Sequence, residues 1–95
     1  MKQVPEVTDF MTRAELDARL GPMHISLYVA ILHCWLRQGG SGPARISARD
    51  LMPISKIGGL TPMYRCLREL HEYGYIVYEP SFNPAEKSKA FLRLE

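Results

Sequence analysis

The side chains equipped for chemistry are three histidines (His24, His33, His71) and two cysteines (Cys34, Cys66). Such residues make metal centres or thiol nucleophiles, and their spacing here predicts neither. A zinc site needs four convergent ligands, commonly including a Cys-x-x-Cys pair, and the chain has no such pair. His33 and Cys34 are neighbours and so leave a helix in different directions, while Cys66 falls on an apolar helical stripe with His71 opposite it. A nucleophilic thiol needs an oriented base in a polar pocket, so both cysteines are expected to be buried structural residues. Gly39-Gly40-Ser41-Gly42 lacks the Lys-Ser/Thr that follows in a phosphate-binding loop. The expectation is a non-enzyme with no cofactor, no metal and no small-molecule substrate. What remains is a basic and aromatic set of another kind: Tyr64, Arg65 and Arg68 within four positions of one another, Lys56, Gly59 and Thr61 just before them, and Lys87 and Lys89 later.

Positioning these groups falls to a short chain. Ninety-five residues make one small domain with a single core and little room for a deep cleft. With 46% hydrophobic and 23% charged residues, the composition is that of an ordinary globular protein. Leu27–Leu36 is the longest apolar stretch, and His33 interrupts it; it falls far short of the roughly 20 residues of a membrane span. Met1–Phe10 carries Pro5, Glu6 and Asp9 and does not read as a signal peptide. With two cysteines only, a cytoplasmic protein is expected. The net charge is +2, and the excess lies beyond residue 44: Lys2, Arg13, Arg19 and Arg37 are balanced by Glu6, Asp9, Glu15 and Asp17.

Along the chain, residues 1–7 read as an irregular arm and residues 8–43 as N-terminal helices. Thr12-Arg13-Ala14-Glu15 has capping-box spacing, predicting a short helix over about 12–20 with an earlier start near Thr8 as the variant. Leu20-Gly21-Pro22 stops it, and Pro22 suits the first turn of a second helix over about 22–38. On that helix Ile25, Tyr28, Val29, Leu32, Trp35 and Leu36 form one apolar face, with Leu27, Ile31 and Cys34 as a strip beside it and Ser26, Ala30, His33 and Arg37 as a narrow polar stripe. The apolar arc is about twice the usual width, so it is buried on two sides, by the first helix and core together or by a second protomer. Residues 38–43 are a loop, Ala44-Arg45-Ile46 a short strand, and Ser47 the N-cap of a short helix to about Leu51–Ile54. Pro53 would remove a hydrogen bond there, leaving one or two turns or a kink. After the turn Lys56–Leu60, Thr61 as N-cap and Pro62 as first residue open a helix that runs to Tyr73 and ends at Gly74. Its core stripe is Met63, Cys66, Leu67, Leu70 and Tyr73. Tyr75–Glu79 and Ala90–Leu94 read as two strands of a hairpin with a long polar tip over Pro80–Ser88.

Short helix, glycine turn and longer helix make a helix-turn-helix unit whose second helix can enter a major groove. The chain resembles the winged helix-turn-helix DNA-binding family. The likeness is carried by Ile46-Ser47-Ala48-Arg49-Asp50-Leu51 and by Tyr64-Arg65-Cys66-Leu67-Arg68-Glu69-Leu70 followed by Tyr73-Gly74-Tyr75-Ile76, which looks like the family's Arg-x-Leu-x-x-Leu-x-x-x-Gly-x-Ile signature. It covers about residues 44–94. A closer likeness, to small winged-helix proteins of bacterial conjugative transposons, extends to His24–Trp35 and to Pro80-Ser81-Phe82-Asn83-Pro84 through Lys87-Ser88-Lys89. The fold expected is therefore α+β, mainly α: a single winged-helix domain over residues 1–95, with residues 44–95 forming the helix-turn-helix and wing.

The function expected is binding of double-stranded DNA, by a transcriptional regulator or an accessory factor of a mobile element. Tyr64, Arg65 and Arg68 would read the major groove, the amides near Gly59 with Thr61 and Lys56 would hold a phosphate, and Lys87 and Lys89 in the wing would touch the backbone or minor groove. The blander alternative pairs Arg65 and Arg68 with Glu69 and Glu72 as a solvated helix face. A homodimer is expected through Leu27, Ile31, Cys34 and Trp35. The rival function is a winged helix that docks another protein and binds no DNA.

Overall fold

The computed structural model describes residues 4–83 and 85–93. Residues 1–3 of the expected arm, Pro84 in the hairpin tip and Leu94 of the expected last strand lie outside them. Four helices and three strands follow in the order α1 (Val4–Glu15), α2 (Pro22–Arg37), β1 (Ala44–Ile46), α3 (Ala48–Ser55), α4 (Leu60–Glu72), β2 (Ile76–Glu79) and β3 (Ser88–Leu92). The fold is α+β: the helices pack together and against an antiparallel sheet of order β1-β3-β2.

The first helix departs from expectation. It starts by Val4 and ends at Glu15, so residues 4–7 are helical rather than an irregular arm, and the Thr12–Glu15 box lies inside the helix. The Thr12 hydroxyl turns back to donate to the Thr8 carbonyl at 2.9 Å, the use an interior threonine makes of its side chain. Packing overrides the capping signal. Phe10 and Ala14, one turn apart, are both buried, and the Phe10 ring stacks on Tyr28 with centroids 3.8 Å apart and meets the edge of Tyr75 at 5.5 Å. Arg13 and Arg19 then tie this end of the chain to the α4–β2 turn. Their guanidinium groups lie over the Tyr75 and Tyr73 rings at 4.3 and 4.2 Å. Asp17 accepts from Arg19 at 2.7 Å and from the Tyr75 hydroxyl at 2.8 Å.

Most of the wide apolar arc of α2 is covered within one chain, but Val29 and Leu36, expected on the buried face, are exposed. Leu27, Tyr28, Ala30, Ile31 and Leu32 are all buried, as α1, α3, α4 and β1 surround the helix. Ala30 therefore belongs to the core and not to a polar stripe. Leu27 and Ile31, expected at a dimer interface, are 0% exposed and present nothing to a second copy. Trp35 is half-buried and donates its indole N–H to the Gly42 carbonyl at 2.8 Å, closing the α2–β1 loop. Cys34 is half-buried against the same core. Gln38 completes the junction: its side chain accepts the Arg45 N–H at 2.8 Å and donates to the Arg45 carbonyl at 2.9 Å.

Ser47 caps α3 as expected, accepting from the Asp50 N–H at 3.1 Å. The helix continues through Pro53 to Ser55, where the Ser26 hydroxyl donates to the Ser55 carbonyl. It ends with Lys56 in the left-handed conformation at φ 65°. The start of α4 is a correction: Gly59 is the N-cap, so Thr61 and Pro62 occupy the second and third helical positions. No side chain caps the helix, and a Cβ on Gly59 would sit 3.3 Å from the Pro62 ring. Pro62 costs nothing there, because the first-turn amides have no intrahelical acceptor. The other end follows the sequence closely. Gly74 adopts φ 87°, its N–H bonds the His71 carbonyl at 3.1 Å, and the Tyr75 N–H bonds the Leu70 carbonyl at 2.9 Å, which is a Schellman termination.

The hairpin of β2 and β3 pairs Val77 with Phe91 and Glu79 with Lys89. β3 begins at Ser88, two residues before the expected start, because it also pairs with β1, Ile46 facing Ser88 and Ala44 facing Ala90. That third strand makes β3 central and buries Ala44, Ile46, Ile76 and Ala90 under the helices.

Candidate functional site

α4 divides cleanly. Met63, Cys66, Leu67 and Leu70 are buried, while Thr61, Tyr64, Arg65 and Arg68 are exposed in its first two and a half turns. Tyr64 is 47% exposed and stands between α4 and the β2–β3 loop. It lines two adjoining clefts of about 410 and 400 Å³ with Tyr78, the first reaching α3's N-terminus and the loop residues Ser81, Asn83 and Lys87, the second bounded by Arg68, His71 and Pro80. The helix and the loop are thus two walls of one concave surface. His71 fixes the wall spacing, since its Nδ1 accepts the Tyr78 N–H at 3.0 Å. At the tip, Phe82 is 94% exposed, and Asn83 shapes the turn by accepting from the Ala85 N–H at 2.9 Å.

Glu86 lines the first cleft, but no acid pairs with the α4 arginines among the described residues. Glu69 pairs with His24 at 2.7 Å rather than with Arg65. That contact is a hydrogen bond; the ion pairs among the described residues are Arg19–Asp17 and Lys87–Asp50, so neither Arg65 nor Arg68 has a carboxylate partner there. Lys56, Gly59 and Thr61 cluster at the entry to α4, where the Leu60 and Thr61 amides are first-turn donors; Pro62 removes the third donor of that turn.

The two lysines behave differently. The Lys87 Nζ lies 2.6 Å from Asp50 Oδ2, tying the loop to the first turn of α3 and holding the Asp50 carboxyl below its ordinary pKa chiefly through that hydrogen bond. Lys89 is not in the loop but in the middle of the sheet, facing outward between Arg45 and Glu79.

One triad of potential metal ligands escaped the sequence spacing. His24, Cys66 and Glu69 place a ligand atom each within 4.8 Å of one another, because α2 and α4 pack side by side. The hydrogen bonds decide against a metal there. His24 Nδ1 accepts the Gly21 N–H at 2.9 Å, which leaves Nε2 as the protonated nitrogen that donates to Glu69 at 2.7 Å. A metal on Nε2 would move the proton to Nδ1, against the Gly21 donor. The trio is a cap and cross-link between α2 and α4. Burial pushes the thiols of both Cys66 and Cys34 up, away from the thiolate a nucleophile or ligand needs.

Sequence reasoning missed Tyr78 and His71 as walls of the surface, the Asp50–Lys87 tie, and the His24–Glu69 link. The last two join residues 37 and 45 positions apart, which no local spacing reveals. No helix among the described residues is long and apolar enough to cross a membrane. No family model, curated protein or solved structure matches the chain.

Proposed function

We propose that this chain is a winged helix-turn-helix protein that binds double-stranded DNA, with α3 and α4 as the helix-turn-helix, α4 entering the major groove and the β2–β3 loop as the wing. The observation that carries this reading is the exposed N-terminal half of α4: Tyr64, Arg65 and Arg68 point outward, without a carboxylate partner among the described residues, beside a concave wall formed by the loop. Arginine forks pair bidentately with guanine, and the first turns of a recognition helix are where side chains meet base edges. The element order and the β1-β3-β2 sheet support the same reading. Lys56 and the α4 amides would hold a phosphate, and Phe82 at the tip would reach the adjacent minor groove. Lys89 contributes through the sheet face, and Lys87 is held back by Asp50. A role as transcriptional regulator or recombination accessory factor accords with the resemblance to winged-helix proteins of conjugative transposons.

The test is a titration of fluorescent random-sequence duplex at several salt concentrations, with wild type beside Arg65→Ala/Arg68→Ala. Salt-sensitive binding that the double variant loses, with its circular dichroism unchanged, supports the proposal. Absence of binding at low salt removes it and favours a docking domain for another protein.

A further inference from the structure

The basic residues away from α4 also converge. A cleft of about 520 Å³ opens where the end of α2, β1, the first turns of α3 and the residue before β3 meet, and Arg37, Arg45, Arg49 and Lys87 line it from those four places. Its one carboxylate is Asp50, which is already held by Lys87 at 2.6 Å. Arg37, Arg45 and Arg49 therefore line the cleft with no carboxylate partner among the described residues. Surfaces normally intersperse the two signs. Three uncompensated cations around one concavity repel one another and sustain a positive potential that an anion relieves. Arg49 adds to the imbalance, because it sits in the first turn of α3, the end of a helix dipole that disfavours a cation. Cys34, Pro53 and Ile54 supply an apolar side wall.

We propose that this cleft is a binding site for a compact phosphorylated anion of the pyrophosphate class, gripped by Arg37, Arg45 and Arg49, with Lys87 shared between the anion and Asp50. Guanidinium forks match phosphate oxygens two at a time. The cations surround one hollow of small-ligand volume, an arrangement that suits several charges on one small molecule rather than phosphates strung along a duplex backbone. The site is distinct from the exposed face of α4, and the proposal does not depend on that face binding DNA. Lys87 also lines the cleft beside Tyr64, so an anion that draws Lys87 from Asp50 would act on the base of the β2–β3 loop.

The test is a titration of the nitrogen-15-labelled protein with sodium pyrophosphate, beside sodium chloride at matched ionic strength, followed by amide chemical shifts. Saturable shifts are expected at Arg37, Arg45, Arg49 and Lys87 that chloride does not reproduce. Arg45→Gln/Arg49→Gln should weaken the apparent Kd by about tenfold or more; both residues are exposed, so the variant is expected to fold, as circular dichroism will check. Arg65→Ala/Arg68→Ala should leave the pyrophosphate titration unchanged, which separates this site from the α4 face. Shifts that match chloride, or that saturate elsewhere, overturn the proposal. So does an Arg45→Gln/Arg49→Gln variant that loses duplex affinity while pyrophosphate moves no cleft amide, because the cleft would then be part of a nucleic-acid surface.

Discussion

Replacing Asp50 with asparagine should strengthen duplex binding, although Asp50 lies outside the α4 face. Three cations were expected to meet phosphate, Lys56, Lys87 and Lys89, while Arg65 and Arg68 read bases. Lys87 is held by Asp50 at 2.6 Å, which leaves two. Each phosphate neutralised contributes about −0.9 to the slope of log K against log salt, so wild type should show about −1.8 and Asp50→Asn, with Lys87 released, about −2.7. Asparagine preserves the side-chain shape and the backbone N–H that Asp50 donates to Ser47. Its structural cost is the loss of one exposed ion pair and one acid in the first turn of α3, each about 1 kcal/mol or less. Fluorescence anisotropy over a tenfold salt range resolves a slope change of this size. Lys87→Ala supplies the control: it should change the wild-type slope little but abolish the gain in the Asp50→Asn background. An Asp50→Asn slope equal to or shallower than wild type would refute the pairing argument.

Three further outcomes follow from the fold. Gly74→Ala forces a Cβ into a residue at φ 87° and should lower stability by about 1–2 kcal/mol in urea denaturation; no change would mean that the α4–β2 turn relaxes into another conformation. The hydrogen bonds from Arg19 and Tyr75 hold the Asp17 carboxyl far below its ordinary pKa. Their stabilisation is thus complete above the usual carboxylate range and is lost as pH falls below it. The stability difference between wild type and Asp17→Asn should therefore be present at neutral pH and shrink on acidification below about pH 4; a difference that stays constant with pH would contradict the assignment. Cys34 is half-buried and Cys66 buried, so a thiol reagent should modify Cys34 first and reach Cys66 only on unfolding, as mass spectrometry will resolve; equal rates would indicate that α4 opens in the native state.

Where a single residue dictates local backbone, the sequence was legible. Gly74 announced the end of α4, Ser47 the start of α3, and Ala44–Ile46 a strand. The amphipathic split of α4 was readable from period alone, and with it the exposure of Tyr64, Arg65 and Arg68. Signals that compete with packing misled. Thr12 and Glu15 have the spacing of a helix start, yet the Phe10–Tyr28–Tyr75 aromatic stack carries α1 straight through them. Thr61 outranks glycine as an N-cap in isolation, but the helix begins two residues sooner, with Gly59 against the Pro62 ring. Leu27 and Ile31 looked surplus to one core because the burial supplied by α1, α3 and β1 together is not a local property. The β1–β3 pairing, the Asp50–Lys87 tie and the cleft of Arg37, Arg45 and Arg49 depend on which distant segments fold side by side, and no motif spacing encodes them.

The most direct test of the role assigned to α4 is an amide chemical-shift map of the protein bound to a short duplex at low salt. A duplex-reading α4 predicts the largest shifts over Gly59–Arg68 and the loop residues Ser81–Asn83, with α1 and the Asp17–Tyr75 junction unmoved. Shifts centred on α1 or the outer face of α2, or none at all with duplex in excess, would contradict it.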